Sequence, residues 1–238
     1  MPSIRRRPLR TAILLLAATQ LAGCAPQAAT IEGSRIEGLY NIFLIAAAAV
    51  FVIVAGLIGW SVVRYRARGE VDELPPQSRD NPRLEIVWWA LPTILVIGLF
   101  VLTAQVLTEV DARDGSATVG VHVTGYQWQW RFAYEGTDVV IQGEPGDPPT
   151  LVLPVGERVS FDLESPDVVH SFWVPAFLMK RDVVPGRTNH IELTIDEAGT
   201  YRGQCAEFCG LLHDQMLFSI EAVPASEFAD WLAGQGGG

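Results

Sequence analysis

Soft ligands are scarce in this sequence: its 238 residues include three cysteines, four histidines and three methionines. Charge is scarce as well, at 18% of residues against 49% hydrophobic. A chain this apolar is not an ordinary soluble domain, and the balance points to membrane segments. Basic residues are short in the second half. Thr108 to Gly238 holds 7 Lys/Arg and 20 Asp/Glu, whereas Met1 to Leu107 holds 10 Arg and 7 Asp/Glu. The acidic C-terminal part argues against nucleic acid and favours a basic protein partner. No C-x-x-C-H occurs, which excludes a fused c-type haem domain, and there is no internal repeat.

What is present is sharply segregated. "RRRPLR" at residues 5–10 is a positive n-region, and Thr11 to Gly23 is an uncharged, mostly apolar run too short to span a bilayer. Together they read as a signal peptide over residues 1–23. Leu21-Ala22-Gly23-Cys24 resembles a bacterial lipobox, which implies cleavage before Cys24 and lipid on its thiol. An exported segment, 24–38, follows. Residues 39–63 and 86–108 are uncharged and long enough for two spanning helices, where about 20 residues suffice. Arg64, Arg66, Arg68, Arg79 and Arg83 flank the loop at 64–85, which places that loop in the cytoplasm and residues from about 110 onward outside it. Pro92 is a tolerable kink in the second span.

From there the pattern changes to short β-branched or aromatic runs punctuated by Gly, Pro, Asp and Asn, such as "ATVGVHVTG", "YQWQWRFAY" and "MLFSIEAV". Val159, Phe161 and Leu163 alternate with Arg158, Ser160, Asp162 and Glu164. This predicts an all-β Greek-key barrel or sandwich over 115–224. A short helix is expected in 225–238, capped by Ser226, with Phe228, Trp231 and Leu232 on one face and Gly234 as its stop, followed by a flexible tail.

"CAEFCGLLHDQM", residues 205–216, holds two of the three cysteines, with one histidine and one methionine. A disulfide is the default for paired cysteines outside the cytoplasm, but it leaves His213 and Met216 unexplained. Zinc accepts Cys and His, but thioether is a poor zinc ligand. Copper suits thiolate, imidazole and thioether together. A mononuclear blue-copper site has one thiolate, whereas Cys205 and Cys209 supply two, as a bridged copper pair needs. A second imidazole must come from His122, His170 or His190. His170 stands at a turn-to-strand junction in "SPDVVHSFWVP". His122 and His190 alternate within strands, which suits a structural role.

"HSFWVP", then C-x-E-x-C-G-x-x-H-x-x-M, resembles subunit II of the haem-copper cytochrome c oxidases with their dinuclear CuA centre. "LEIVWWALPT", "GYQWQW" and "VPGRTN" extend the resemblance over almost the whole chain. It implies a two-helix transmembrane hairpin followed by a cupredoxin-like β-domain. It also implies that Cys205 and Cys209 bridge two coppers. One copper would add His170 and Met216, and the other His213 and the backbone carbonyl of Glu207. The Glu207 carboxylate would face a magnesium shared with subunit I, as suits a hard cation. The family takes electrons from reduced cytochrome c through CuA to haem a of an aa3-type oxidase, which reduces oxygen and pumps protons in a bacterial plasma membrane. Subunits I and III are the implied partners.

By the same resemblance Trp128 is where electrons arrive, and Glu85 is the mouth of a proton channel. Trp128 and Trp130 are expected on one strand face. Asp167, Glu164 and Asp182 are candidates for steering a basic donor, with association rates that fall as salt rises. Two other readings differ in class. A quinol-oxidase type of subunit would lack these thiols and imidazoles. A free-standing membrane-anchored copper carrier or sensor would not co-purify with a haem-bearing partner.

Overall fold

The computed structural model describes residues 27–66, 77, 80–113, 115–144 and 146–235. The signal peptide, Cys24, Arg68, Arg79 and the end of the tail lie outside them.

Two long helices, α1 (Ile31–Arg64) and α2 (Pro82–Val110), are apolar enough to cross a membrane. At 1.5 Å per residue they are about 51 and 44 Å long, against a hydrocarbon core of about 30 Å. Both outrun the uncharged runs at 39–63 and 86–108, because a helix ends where its caps lie and not where its charge begins. Thr30 Oγ1 accepts the Gly33 amide at 2.9 Å, and Asn81 Oδ1 accepts the Leu84 amide at 3.2 Å. Pro82 at the first helical position has no amide to leave unbonded.

The chain falls into two compact units, residues 38–108 and the β-domain with the chain's N-terminal residues up to Glu37. The start of α1 is built into the β-domain. Glu32 is buried, and its carboxylate accepts Arg158 at 3.0 Å and the Thr194 amide at 2.8 Å. Gly33 is needed there, since a Cβ would fall 2.7 Å from the Phe177 carbonyl oxygen.

Among the described residues, ten strands make the domain: β1 (Val119–Tyr126), β2 (Gln129–Tyr134), β3 (Val140–Gln142), β4 (Thr150–Pro154), β5 (Arg158–Glu164), β6 (His170–Val174), β7 (Met179–Val183), β8 (Asn189–Thr194), β9 (Gly199–Cys205) and β10 (Leu217–Val223). One sheet runs β3-β2-β1-β5-β8 and the other β4-β10-β9-β6-β7. Among the described strands, β1/β5 and β4/β10 pair in parallel and the other strand pairs are antiparallel. The inner faces meet through aromatics. Phe172 stacks on Phe218 at 4.7 Å, and Trp130 of the other sheet lies edge-on to both. Phe218 lies over Gly203, its register partner on β9, where any Cβ would fall 2.1 Å from the ring.

Two sequence expectations are corrected. "YQWQW" is not one strand. β1 ends at Tyr126, β2 begins at Gln129, and these two residues pair across a turn made by Gln127 and Trp128. Trp130 is fully buried while Trp128 stands in the turn, so they share no strand face. The C-terminal helix, α3 (Ala225–Gln235), starts one residue before Ser226, with Phe228 N bonded to the Pro224 carbonyl. Pro224 therefore occupies the cap position, and the helix continues through Gly234. Phe228, Trp231 and Leu232 do pack on the core.

Candidate metal centre

The β9–β10 connection carries Cys205, Cys209, His213 and Met216, and β6 brings His170 beside it. Antiparallel pairing sets Phe172 opposite Cys205, and the Ala206 amide bonds to the Ser171 carbonyl at 3.1 Å. Ladder geometry thus closes the 35-residue gap between His170 and Cys205.

The donors converge. The two sulfurs are 3.9 Å apart and both cysteines are free thiols. His170 Nδ1 is 3.9 Å from Cys205 Sγ, and His213 Nδ1 is 3.5 Å from Cys209 Sγ. Met216 Sδ lies 3.8 Å from Cys209 Sγ, and the Glu207 carbonyl oxygen 3.3 Å from Cys205 Sγ. His170 and Met216 are buried to 1% exposure or less, and both cysteines to 4%. His170, Cys205 and Cys209 offer ligand atoms that all lie within 4.8 Å of one another.

These residues fit a copper pair. Sulfurs 3.9 Å apart leave room for an ion bonded to both at a metal–thiolate length of about 2.3 Å. The set is thiolate, imidazole and thioether with one carbonyl, which is copper's preference and not zinc's. Electrostatics agree. Burial pushes the Cys205 thiol up, but hydrogen bonding with the His170 imidazole, the Glu207 and Ser171 backbone and Cys209 together outweighs it and brings it down to about 7. Burial and then the charge of Cys205 push Cys209 up to about 12. Without cations the pocket resists a second thiolate, and bound cations reverse that order.

Around the donors stands a shell that the sequence did not reveal. His170 Nε2 is 2.9 Å from Asp167 Oδ1, which fixes the ring with Nδ1 toward the sulfurs. Asp167 also accepts the Gln127 amide at 2.7 Å and the Val168 amide at 2.6 Å. From the β1–β2 turn, Gln127 Nε2 and Trp128 Nε1 both donate to the Cys209 carbonyl, at 2.7 and 3.2 Å. Trp130 Nε1 donates to the Met216 carbonyl at 3.3 Å. Gly210 allows this closeness. Its φ is +120°, and a Cβ would fall 3.2 Å from both turn donors. The glycine after the second cysteine was the one local signal for it.

The other sequence candidates are dispersed. The Glu207 carboxylate is half-exposed and 3.8 Å from Lys180 Nζ, which also pairs with Asp182 at 3.0 Å. Glu164 accepts Thr188 Oγ1 at 2.5 Å. Glu85 is exposed in the first turn of α2. His122 and His190 lie on the outer face of the other sheet, away from the sulfurs, against carboxylates.

A family model described as the periplasmic domain of cytochrome c oxidase subunit II matches residues 147–223, and its transmembrane counterpart matches 18–106. The chain is 34% identical to the probable cytochrome c oxidase subunit 2 of Streptomyces coelicolor, over 95% of this chain and 88% of that protein. It is 36% identical to the corresponding protein of Streptomyces avermitilis over the same shares. A crystal structure of the periplasmic domain of subunit II of cytochrome oxidase from Bradyrhizobium japonicum is 31% identical, with a TM-score of 0.46, covering 50% of this chain and 94% of that one. With two membrane-length helices ahead of a cupredoxin-like β-domain, this chain belongs to the cytochrome c oxidase subunit II family.

Proposed function

We propose that the chain is the electron-accepting subunit of an aa3-type terminal oxidase in a bacterial plasma membrane. Its β-domain faces the exterior, takes electrons from reduced cytochrome c and hands them on to haem a of subunit I, where oxygen is reduced and protons are pumped. The observation that carries this reading is the convergence of two free thiols, two imidazoles, a thioether and a backbone carbonyl in one pocket. When bound, a dinuclear CuA centre would supply a one-electron couple there.

The chain's own residues do the rest. Cys205, Cys209, His170, His213, Met216 and the Glu207 carbonyl would hold the ions. Asp167 keeps the buried His170 ring in one orientation, and β6 and β9 fix the backbone behind it. Donors held this way need not move when charge changes, which favours fast transfer. Trp128, half-buried and bonded to the Cys209 carbonyl, connects the surface to a ligand in one hydrogen bond and is where electrons arrive. Glu164 and Asp182, with the exposed part of Asp167, steer the basic donor. The half-exposed Glu207 carboxylate, now beside Lys180, would supply a hard oxygen ligand to a magnesium shared with subunit I. Glu85 collects protons at the cytoplasmic side, Cys24 carries lipid, and subunit III completes the assembly.

Copper loading of the full chain tests the reading by electron paramagnetic resonance. One electron shared equally between two copper nuclei gives a seven-line pattern, which Cys205→Ser abolishes. A four-line signal, or none, would overturn it. Co-purification with a haem-bearing subunit separates an oxidase component from a free-standing carrier or sensor.

A further inference from the structure

On the sheet that lies opposite the copper ligands' sheet, β1 runs between β2 and β5. Register sets His122 on its outer face opposite Asp162 of β5 and Ala133 of β2, and Asp162 opposite His190 of β8. Glu135, just past β2, reaches back along this face. Its amide bonds to the Gly120 carbonyl at 2.9 Å, and its carboxylate fills the place of the side chain Gly120 lacks, where a Cβ would fall 2.1 Å from Oε2. That puts Glu135 Oε1 3.2 Å from His122 Nε2. The ligand atoms of His122, Glu135 and Asp162 all lie within 4.8 Å of one another. Asp162 is steadied from its other side, with Oδ1 at 2.6 Å from His190 Nδ1, while His190 Nε2 is 3.1 Å from Glu192.

Two carboxylates thus converge on one imidazole. Arg158, the guanidinium on this face of β5, is engaged with Glu32 and Glu192. A protonated His122 offers the pair one positive charge, whereas a divalent cation offers two and takes the imidazole lone pair as well. We propose that His122, Glu135 and Asp162 form a second metal site for a borderline divalent ion of the zinc class. One nitrogen and two oxygens without sulfur suit such an ion and give Cu(I) little reason to compete. His122 and Glu135 have side chains 55% and 46% exposed, so solvent completes the coordination. Each ligand stands on backbone held by the sheet, and His190 orients Asp162 as an outer partner of a metal-bound carboxylate does. The bound ion ties the end of β2 to β5 across β1.

The test uses the full chain in detergent with its cysteine pocket already filled with copper, so that the thiols take no zinc. Zinc(II) is titrated against a chromophoric chelator. The expected result is one zinc per chain beyond copper, with a Tm that rises and saturates as zinc is added. His122→Ala and Glu135→Gln each weaken binding at least about tenfold, and His190→Ala weakens it about 10- to 100-fold. Glu164→Gln, also on β5, leaves it unchanged. Cobalt(II) at the same site adds d–d bands, read as the difference from the copper-only spectrum, without new thiolate charge transfer. The proposal is overturned if no zinc binds beyond copper, if His122→Ala and Glu135→Gln bind it as the parent does, or if cobalt adds new thiolate charge transfer.

Discussion

Asp167 is the residue on which the metal pocket and the Trp128 turn both depend, and replacing it separates the two. Its Oδ1 meets His170 Nε2 at 2.9 Å and the Val168 amide at 2.6 Å, while Oδ2 meets the Gln127 amide at 2.7 Å. Asp167→Ala removes all three. His170 has no exposure, so water does not replace its lost partner, and the ring no longer has one preferred tautomer toward the sulfurs. Loss of such an outer partner weakens metal binding about 10- to 100-fold, or about 1.4–2.8 kcal/mol. Asp167→Asn is the sharper probe. Its amide oxygen serves His170 and Val168, which leaves its NH2 facing the Gln127 amide, donor against donor. Copper affinity should then stay within about tenfold of the parent, while the turn loosens at a cost of about 1–3 kcal/mol. Competition with a chromophoric Cu(I) chelator measures the first, and thermal unfolding of the copper-free chain the second. Equal weakening of copper by Ala and Asn, or none by Ala, would refute the assignment of His170 orientation to Oδ1.

Three further outcomes are expected. Tyr134→Phe removes a hydroxyl that donates to the Val152 carbonyl at 2.7 Å and accepts its amide at 3.1 Å, on the open edge of β4. It should cost about 2–3 kcal/mol, read as a Tm lower by several degrees, and an unchanged Tm would refute it. Gly210→Ala forces a side chain onto φ +120° and against the Gln127 and Trp128 donors. It should slow electron uptake from reduced cytochrome c while the copper spectrum persists, as Trp128→Ala should; normal kinetics in both would remove the turn from the electron's route. Copper loading should release protons, because ligating thiols must be ionised. Cys209, up near about 12, arrives protonated at pH 7, and Cys205, near about 7, arrives about half so. At least about one proton per chain should appear in a weakly buffered solution, fewer as pH rises from 6 to 8. Release of less than one, or release that grows with pH, would contradict this.

Much of the site was legible because its chemistry is local. Cys205, Cys209, His213 and Met216 lie within one connection, so spacing and ligand softness carried the reading. His170 was legible as a junction residue, but its closeness to Cys205 needed the pairing of β6 with β9, which no local pattern encodes. The Gln127–Trp128 turn was illegible for a clear reason. Two-residue hairpin turns advertise themselves by Asn, Gly or Asp, and this one has none. Its residues alternate as a strand would, and what bends them is tertiary: the Asp167 carboxylate on one amide and the Cys209 carbonyl on two side chains. The helix ends failed similarly. Charge marks where lipid ends, but Thr30 and Asn81 decide where the helices begin.

Two of the turn's bonds, both to the Cys209 carbonyl, connect fold to function. A metal pocket on a loop is only as rigid as what braces it, and the β9–β10 connection is long and leaves Phe208 and Leu211 about four-fifths exposed. Its bracing comes from the opposite sheet, through Gln127 and Trp128 on the Cys209 carbonyl and Trp130 on the Met216 carbonyl. One face of the sandwich supplies the cysteines and His170, and the other holds the loop by its backbone. The side chain that braces most openly, Trp128, is also the one that reaches the surface. On the proposed function, the path by which an electron would enter and the strut that would hold its destination still are one hydrogen bond, so loosening the turn should change donor kinetics before it changes copper occupancy.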